Sequence, residues 1–296
     1  MKISELIKNS NKPFYSLEFF PPKEEEHMPA FFDAANKLKD LNPLFVSVTY
    51  GAGGSKQANT LEVARSLKTT CGFEPMTHLT CVGSQKGPIK DYLQKITDNG
   101  INNILALRGD APKNQNATNV PYDWSAGDFQ HASDLVSFVR HEFSDMCIGV
   151  TAYPAPHPEA ESREKDLQYA ALKVKHGGDF LVTQLFFDVN EYVELVNNLR
   201  ALGVDKPVVP GIMPVQSLES IKYVMSMCGA NIPQDYYNEL KAAHQSGGTA
   251  AVREIGTAFA AEQVRKLIAA GAPGVHLYTL NKSETCLKIA ELVGGL

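Results

Sequence analysis

Glu18, His78, Arg108 and Asp110 are charged or titratable residues placed in or just after short apolar runs, where a fold can hold them next to one another. Glu18 lies in Leu17-Glu-Phe-Phe-Pro-Pro22, with apolar neighbours on both sides. Desolvation disfavours the charged form of a carboxyl group, so the setting suits a general acid held near neutrality. A surface glutamate at a strand end would have the same local sequence. Arg108-Gly109-Asp110 puts a cation and a carboxylate on one side of an extended chain, where they can face one ligand or pair with each other. Thr49, Tyr153 and Gln184 are neutral hydrogen-bonding groups, better suited to holding a heterocycle than to attacking a bond.

The elements that must position these residues are eight apolar runs: Tyr15–Phe19, Phe45–Thr49, Met76–Thr80, Asn103–Arg108, Ile148–Tyr153, Phe180–Gln184, Val208–Ile212 and Val275–Tyr278. Stretches with helical spacing separate nearly all of them, at intervals of about 30 residues, as in parallel α/β folds. The expected fold is therefore α/β, a single (β/α)8 TIM barrel spanning residues 1–296. In that fold the carboxyl ends of the strands carry the chemistry, and there fall Glu18, Thr49, His78, Arg108, Asp110, Tyr153, Gln184 and Tyr278.

Two additions to the barrel are expected. Ile3 to Lys8 forms an extra N-terminal helix closing the bottom, and Pro233 to His244 forms an additional helix between strands seven and eight, before a helix from Ala250 to Ala270. Asn59 and Glu62 match a capping box for the helix after Gly51-Ala-Gly-Gly-Ser55. Pro158 suits the first turn of a helix running to about Lys175, with Glu159 and Glu161 matching its positive end. Ala111 to Gln130 mixes Asn, Pro and Gly with Tyr122, Trp124 and Phe129, and is a candidate ligand-binding loop or lid.

Composition narrows the class of function. A net charge of −5 without a Lys/Arg block argues against a nucleic-acid partner, and no apolar run is long enough for a membrane span. The first residues carry charges where a secretory signal needs an apolar core, so a cytoplasmic location is expected and the sequon Asn116-Ala-Thr118 is a chance match. Five dispersed cysteines with no C-x-x-C pair read as reduced thiols. His78, Asp110, His157, Glu159 and His276 raise the question of a metal. The first strand lacks the H-x-H pair of barrel metallohydrolases, so no metal is expected. Lys56 stands where a dinucleotide fingerprint needs glycine, and there is no G-x-S-x-G elbow.

Leu17-Glu-Phe-Phe-Pro-Pro22, Phe45-Val-Ser-Val-Thr-Tyr-Gly51, His78-Leu-Thr-Cys81, Ala106-Leu-Arg-Gly-Asp110, Ala152-Tyr-Pro154, His157-Pro-Glu-Ala160, Phe186-Phe-Asp188, Pro210-Gly-Ile212 and Tyr278-Thr-Leu-Asn281 together resemble the methylenetetrahydrofolate reductase family of bacteria. The motifs occur in order along almost the whole chain. The resemblance implies a flavin barrel in which bound FAD is reduced by NADH or NADPH and passes hydride to 5,10-methylenetetrahydrofolate, giving 5-methyltetrahydrofolate for methionine synthesis. It implies Glu18 as the general acid that opens the folate ring, and Asp110 as the charge that tunes the flavin and stabilises the cationic folate.

By the same resemblance Thr49 lies between flavin and nicotinamide. Tyr50, Ala52, His78, Arg108, Gly109, Asp110 and Ala132 are FAD contacts, as are Tyr153, His157, Ala160, Asp166 and Lys173. Gln184, Tyr278 and Lys282 bind the folate. Lys282 replaces the family's Arg and loses bidentate recognition of the folate tail; Leu218 replaces an aromatic residue and loses a stacking face. The resemblance further implies a homo-oligomer, small-molecule substrates, and no regulatory domain of the kind eukaryotic relatives append. Another flavin barrel, or a binding module that kept the pocket without turnover, would share many of these features. NADH and NADPH are not distinguished by the residues.

Overall fold

All six residues of β1 (Phe14–Phe19) are buried, as a strand must be when one face lines a barrel and the other packs under helices. The computed structural model describes residues 1–50, 57–110 and 126–296, apart from the side chains of residues 57, 58, 223, 226 and 227. Among the described residues, nine parallel strands follow one another: β1, β2 (Phe45–Val48), β3 (Pro75–Thr80), β4 (Asn103–Leu107), β5 (Cys147–Ala152), β6 (Phe180–Thr183), β7 (Val208–Val209), β8 (Gly211–Ile212) and β9 (Gly274–Tyr278). Their order in the sheet is β7-β6-β5-β4-β3-β2-β1-β9-β8. The two ends of the sheet are therefore adjacent in sequence, and the barrel closes through residues 208–212.

The expected seventh strand is split at Pro210, which has no N–H to donate to a ladder. Val208 and Val209 pair with β6, whereas Gly211 and Ile212 pair with β9. Two bonds stitch the seam: the Pro210 carbonyl accepts from the His276 N–H at 2.8 Å, and the Gly211 N–H donates to Thr183 Oγ1 at 2.9 Å.

The helices are α1 (Ile3–Asn9), α2 (Met28–Lys37), α3 (Gln57–Cys71), α4 (Lys86–Asp98), α5 (Ala132–Glu142), α6 (Arg163–Lys175), α7 (Val189–Ala201), α8 (Leu218–Cys228), α9 (Gln234–Ala269) and α10 (Ser283–Val293). As expected, α1 plugs the bottom of the barrel. Its Ile3 and Ile7 join Phe14, Phe45, Met76, Leu105, Phe180 and Val209 in an apolar floor, and the Ile3 N–H donates to Asn103 Oδ1 at 2.8 Å. Burying one such side chain stabilises by roughly 1.5–3 kcal/mol. Gly149 keeps room for this packing, because a Cβ there would lie 2.9 Å from the Phe180 ring.

The additional helix before β9 is present as the first part of α9, which Gly248 breaks with φ 62° and ψ −151°. A further helix, α8, precedes it. Two expected helix starts are corrected. Asn59 is the third residue of α3, past the cap position, and its side-chain amide donates to the Pro22 carbonyl at 2.8 Å. Helix α6 starts at Arg163, not near Pro158, because Ser162 is the better cap, with Oγ accepting from the Lys165 N–H at 3.2 Å. Residues 157–161 form a preceding turn, held by Asp166 Oδ2 accepting from the His157 N–H.

Candidate functional site

Ser16 and Glu18 alternate along the inner face of β1, level with Ser47 on β2, His78 on β3, and His276 and Tyr278 on β9. Above the apolar floor these residues make a polar layer in which Ser16, Ser47 and His276 are fully buried and Glu18 is 6% exposed. Glu18 Oε2 lies 3.3 Å from His78 Nε2, 3.6 Å from His276 Nε2 and 3.4 Å from Ser47 Oγ. Burial by itself would raise the Glu18 carboxyl, which was the expectation from sequence. The imidazoles of His78 and His276 outweigh burial and hold it down at about 2. Glu18 is thus an ion in this arrangement, with both imidazoles beside it.

The backbone around Glu18 is fixed from the next strand. Thr279 Oγ1 donates to the Glu18 carbonyl at 2.6 Å, and the Asn281 side chain both donates to the Phe20 carbonyl and accepts from the Phe20 N–H. Leu280 and Asn281 adopt left-handed φ values of 49° and 57° to bring that amide round. The Tyr278 hydroxyl crosses the barrel to donate to the Thr183 carbonyl at 2.7 Å; burial pushes its pKa well above 10, so it stays a neutral phenol. What Tyr278 can offer a ligand is its ring.

A second cluster stands at the ends of β4 and β5. Arg108 pairs with Glu159 at 2.7 Å, which answers the question of its carboxylate partner with a residue not expected from the Arg-Gly-Asp spacing. Gly109 turns the chain at φ 87°, leaving Asp110 exposed yet near enough to raise the Tyr153 hydroxyl and the Cys228 thiol, both already raised by burial. The rings of Tyr153 and His157 meet edge to face at 4.8 Å. Burial and Arg108 lower the His157 pKa, so this imidazole is biased to the neutral form. The ammonium of Lys173 on α6 is enclosed, donates to the Thr151 carbonyl at 2.6 Å, and is lowered by burial to about 8. Among the described residues no carboxylate lies within ion-pair distance of it.

The other expected site residues take varied places. Thr49 and Tyr50 follow β2, with Tyr50 edge-on to Tyr92, and Ala132 opens α5 beside a capping box of His131 and Asp134. Ala160 lies in the turn before α6 and Asp166 in its first turn. The Gln184 side chain folds onto its own backbone, Oε1 accepting from the Leu185 N–H at 2.8 Å, which leaves its amide donors available. Lys282 is exposed outside the polar layer and lines a cleft of about 470 Å³ with Lys23, Phe20 and Asn281. Leu218, the first residue of α8, is packed among Leu185, Phe187 and Ile221. Ala52 lies outside the described residues, as do residues 111–125 of the expected lid; Phe129, which follows, is buried against Phe138.

Sequence reasoning missed Ser16 and Ser47 and weighed His276 only as a metal ligand. Their signal was present as small or polar residues in alternation with Phe14, Glu18 and Phe45 within otherwise apolar strands. Among the described residues, the one group spaced to hold a metal ion is Glu24, Glu26 and His27, which is exposed and lies outside the polar layer.

The methylenetetrahydrofolate reductase family model matches residues 2–294. The chain is 35% identical over 307 residues to methylenetetrahydrofolate reductase (NADH) 1 of Arabidopsis thaliana, covering 99% of this chain and 51% of the relative. It is 32% identical to a probable methylenetetrahydrofolate reductase (NADPH) of Caenorhabditis elegans, covering 99% and 44%. A 5,10-methylenetetrahydrofolate reductase of Pectobacterium carotovorum is 32% identical over 279 residues, covering 94% of this chain and 89% of that one. The chain spans about half the length of the plant and animal relatives. Among solved structures, an uncharacterized protein from Clostridium thermocellum that binds two copies of 5-methyl-5,6,7,8-tetrahydrofolic acid superposes with a TM-score of 0.69 over 99% of this chain and 98% of its own, at 13% identity, a likeness of fold. With the family match running across every strand that supplies the polar layer, the chain belongs to the methylenetetrahydrofolate reductase family.

Proposed function

We propose that this protein is a flavin-dependent reductase that converts 5,10-methylenetetrahydrofolate to 5-methyltetrahydrofolate with NADH or NADPH as donor, the two substrates alternating at the carboxyl end of the barrel. The observation that carries this reading is the buried carboxylate of Glu18 between two imidazoles in a chain of this family. The residues present fit an FAD. Among the described residues, His78 Nε2 is a buried polar atom without a well-formed hydrogen bond and Lys173 is a half-buried cation without an ion pair, as a diphosphate would require. Tyr50, Arg108, Tyr153, His157 and Asp166 would complete that site, with Asp110 at its edge. When bound, FAD supplies the hydride chemistry.

The protein's own part is to position the folate, exclude water and move a proton. Glu18 delivers a proton to the ring nitrogen that must leave as the methylene carbon becomes an iminium. Since Glu18 is ionised beside His78 and His276, it must first take up the proton it delivers. Asp110, exposed and anionic at the rim, stabilises the positive charge that develops on the folate. The amide of Gln184 and the ring of Tyr278 hold the pterin. Lys23 and Lys282 flank the cleft where the anionic tail would run.

The test is anaerobic. Purified protein should be yellow, bleach with NADH or NADPH, and regain its colour when methylenetetrahydrofolate is added. Folded protein that binds no flavin, or reduced flavin that the folate does not reoxidise, would refute the reading. An active preparation should keep its rate after exhaustive chelation; a need for zinc would contradict it.

A further inference from the structure

His276 on β9 is fully buried and stacked on Phe45 at 5.8 Å between ring centroids. Both ring nitrogens are engaged. Nδ1 is 2.8 Å from Ser16 Oγ, and Nε2 is 3.2 Å from Ser47 Oγ. Ser16 Oγ is also 3.2 Å from the Val275 carbonyl, which can only accept. With the single Ser16 proton on that carbonyl, Ser16 Oγ accepts from Nδ1–H. In that tautomer Nδ1 carries the hydrogen, and Nε2 is the nitrogen open to take up or release one.

The same accounting runs outward. Ser47 Oγ is 3.4 Å from Glu18 Oε2, so a Ser47 hydroxyl that donates to the carboxylate has a lone pair for Nε2–H. Imidazolium, Ser47 and carboxylate then form one chain with each polar atom satisfied. Transfer along it breaks the Nε2–H and Ser47 O–H bonds and forms a new Ser47 O–H and a Glu18 O–H. A neutral imidazole and a carboxylic acid result, with no charge lost. After Glu18 has protonated the folate, a proton from solvent at the open end returns through Glu18 and Ser47 to His276 Nε2, the reverse of the same bond changes.

We propose that His276, acting through Ser47, is the positioning residue that supplies Glu18 with the proton it donates. The proposal rests on the folate reading. The groups facing this imidazole are Glu18 and Ser16 from β1, Ser47 from β2 and the edge of Tyr278 from its own strand; His78 on β3 shares Glu18 with it.

The experiment joins rapid-mixing kinetics with ring-nitrogen spectroscopy on the flavin-loaded full chain. His276→Gln and Ser47→Ala should slow flavin reoxidation by methylenetetrahydrofolate roughly 10- to 100-fold and flatten its fall with rising pH, while flavin reduction by the nicotinamide changes less than about twofold. Ser47→Thr, which keeps the hydroxyl, should restore most of the rate. Equal losses in both half-reactions, or an unchanged pH profile, would overturn the proposal. In ¹⁵N spectra of the wild type from about pH 5 to about pH 9, the His276 Nε2 signal should change and Nδ1 should remain protonated. Titration at Nδ1 instead would also overturn it. This spectrum needs no turnover, so a protein inert toward folate would refute the function while the nitrogen assignment is judged separately.

Discussion

The floor of the barrel and the layer directly above it are built on the same strands, two residues apart, and they are opposites. Phe14 and Phe45 belong to the floor, and the next inward residues, Ser16 and Ser47, belong to the polar layer. Met76 gives way to His78 in the same manner. The floor is built of apolar side chains, with the Ile3 N–H of α1 bonded to the buried Asn103 amide. The layer above presents donors and acceptors, buried, with the floor and α1 closing it from below. A carboxylate and two imidazoles can therefore share protons at a dielectric lower than water's, which magnifies every charge in the cluster.

Phe45→Ala should break this contrast most severely. It removes the ring beneath His276 and opens a cavity in the floor, and should cost about 3–5 kcal/mol, read as a lower urea midpoint with little change in slope. A loss below about 1 kcal/mol would mean that the floor collapses to fill the space. Glu18→Gln attacks the upper layer alone. It keeps the size of the side chain and should slow the folate half-reaction by roughly 100-fold or more while leaving flavin reduction nearly intact. A variant that reoxidises its flavin with folate at the wild-type rate would remove Glu18 from the chemistry.

Asp110→Asn tests whether charge at the exposed rim counts for less than charge in the enclosed layer. It should slow the folate half-reaction by roughly tenfold, because solvent screens it, and slow flavin reduction less. Equal losses would contradict the electrostatic role. The gentlest probe is acid. Glu18 is lowered from 4.5 to about 2 in the fold, so the unfolded chain binds the proton first as pH falls. The stability this contributes is present above about pH 4.5 and is lost as pH falls toward about 2. Wild type should therefore lose more stability across that window than Glu18→Gln, as followed by urea unfolding at a series of pH values. Parallel losses would show that the carboxylate gains nothing from its imidazoles.

How far the residues alone reveal this arrangement depends on which force decided each feature. The strands were legible because double-sided burial demands apolar runs, and their spacing of about 30 residues left room for one crossover helix each. Glu18 was legible as a carboxylate among apolar neighbours. Its ionised state was not, because His78 and His276 come from strands 60 and more residues away and only the closed barrel brings them within 4 Å. Ser16 and Ser47 passed as filler, since a buried serine in a strand looks alike whether it relays a proton or packs. Local rules failed where tertiary contacts claimed the same side chains. Asn59 reaches across to Pro22, and Asp166 holds the turn before α6, so the helix waits for Ser162. Pro210 marked a break in the seventh strand that its apolar neighbours concealed.

The seam at Pro210 also limits how this lineage can drift. A Cβ at Gly211 would lie 2.5 Å from the Thr183 carbonyl oxygen and 2.6 Å from the Tyr278 hydroxyl. Replacing Tyr278 with a smaller residue would relieve the second clash and leave the first, which is with backbone. No companion mutation at 278 can make position 211 permissive. Gly211 is thus an inherited commitment of the barrel's closure, independent of whatever chemistry descendants adopt at its mouth, whereas Tyr278 is free to change with that chemistry.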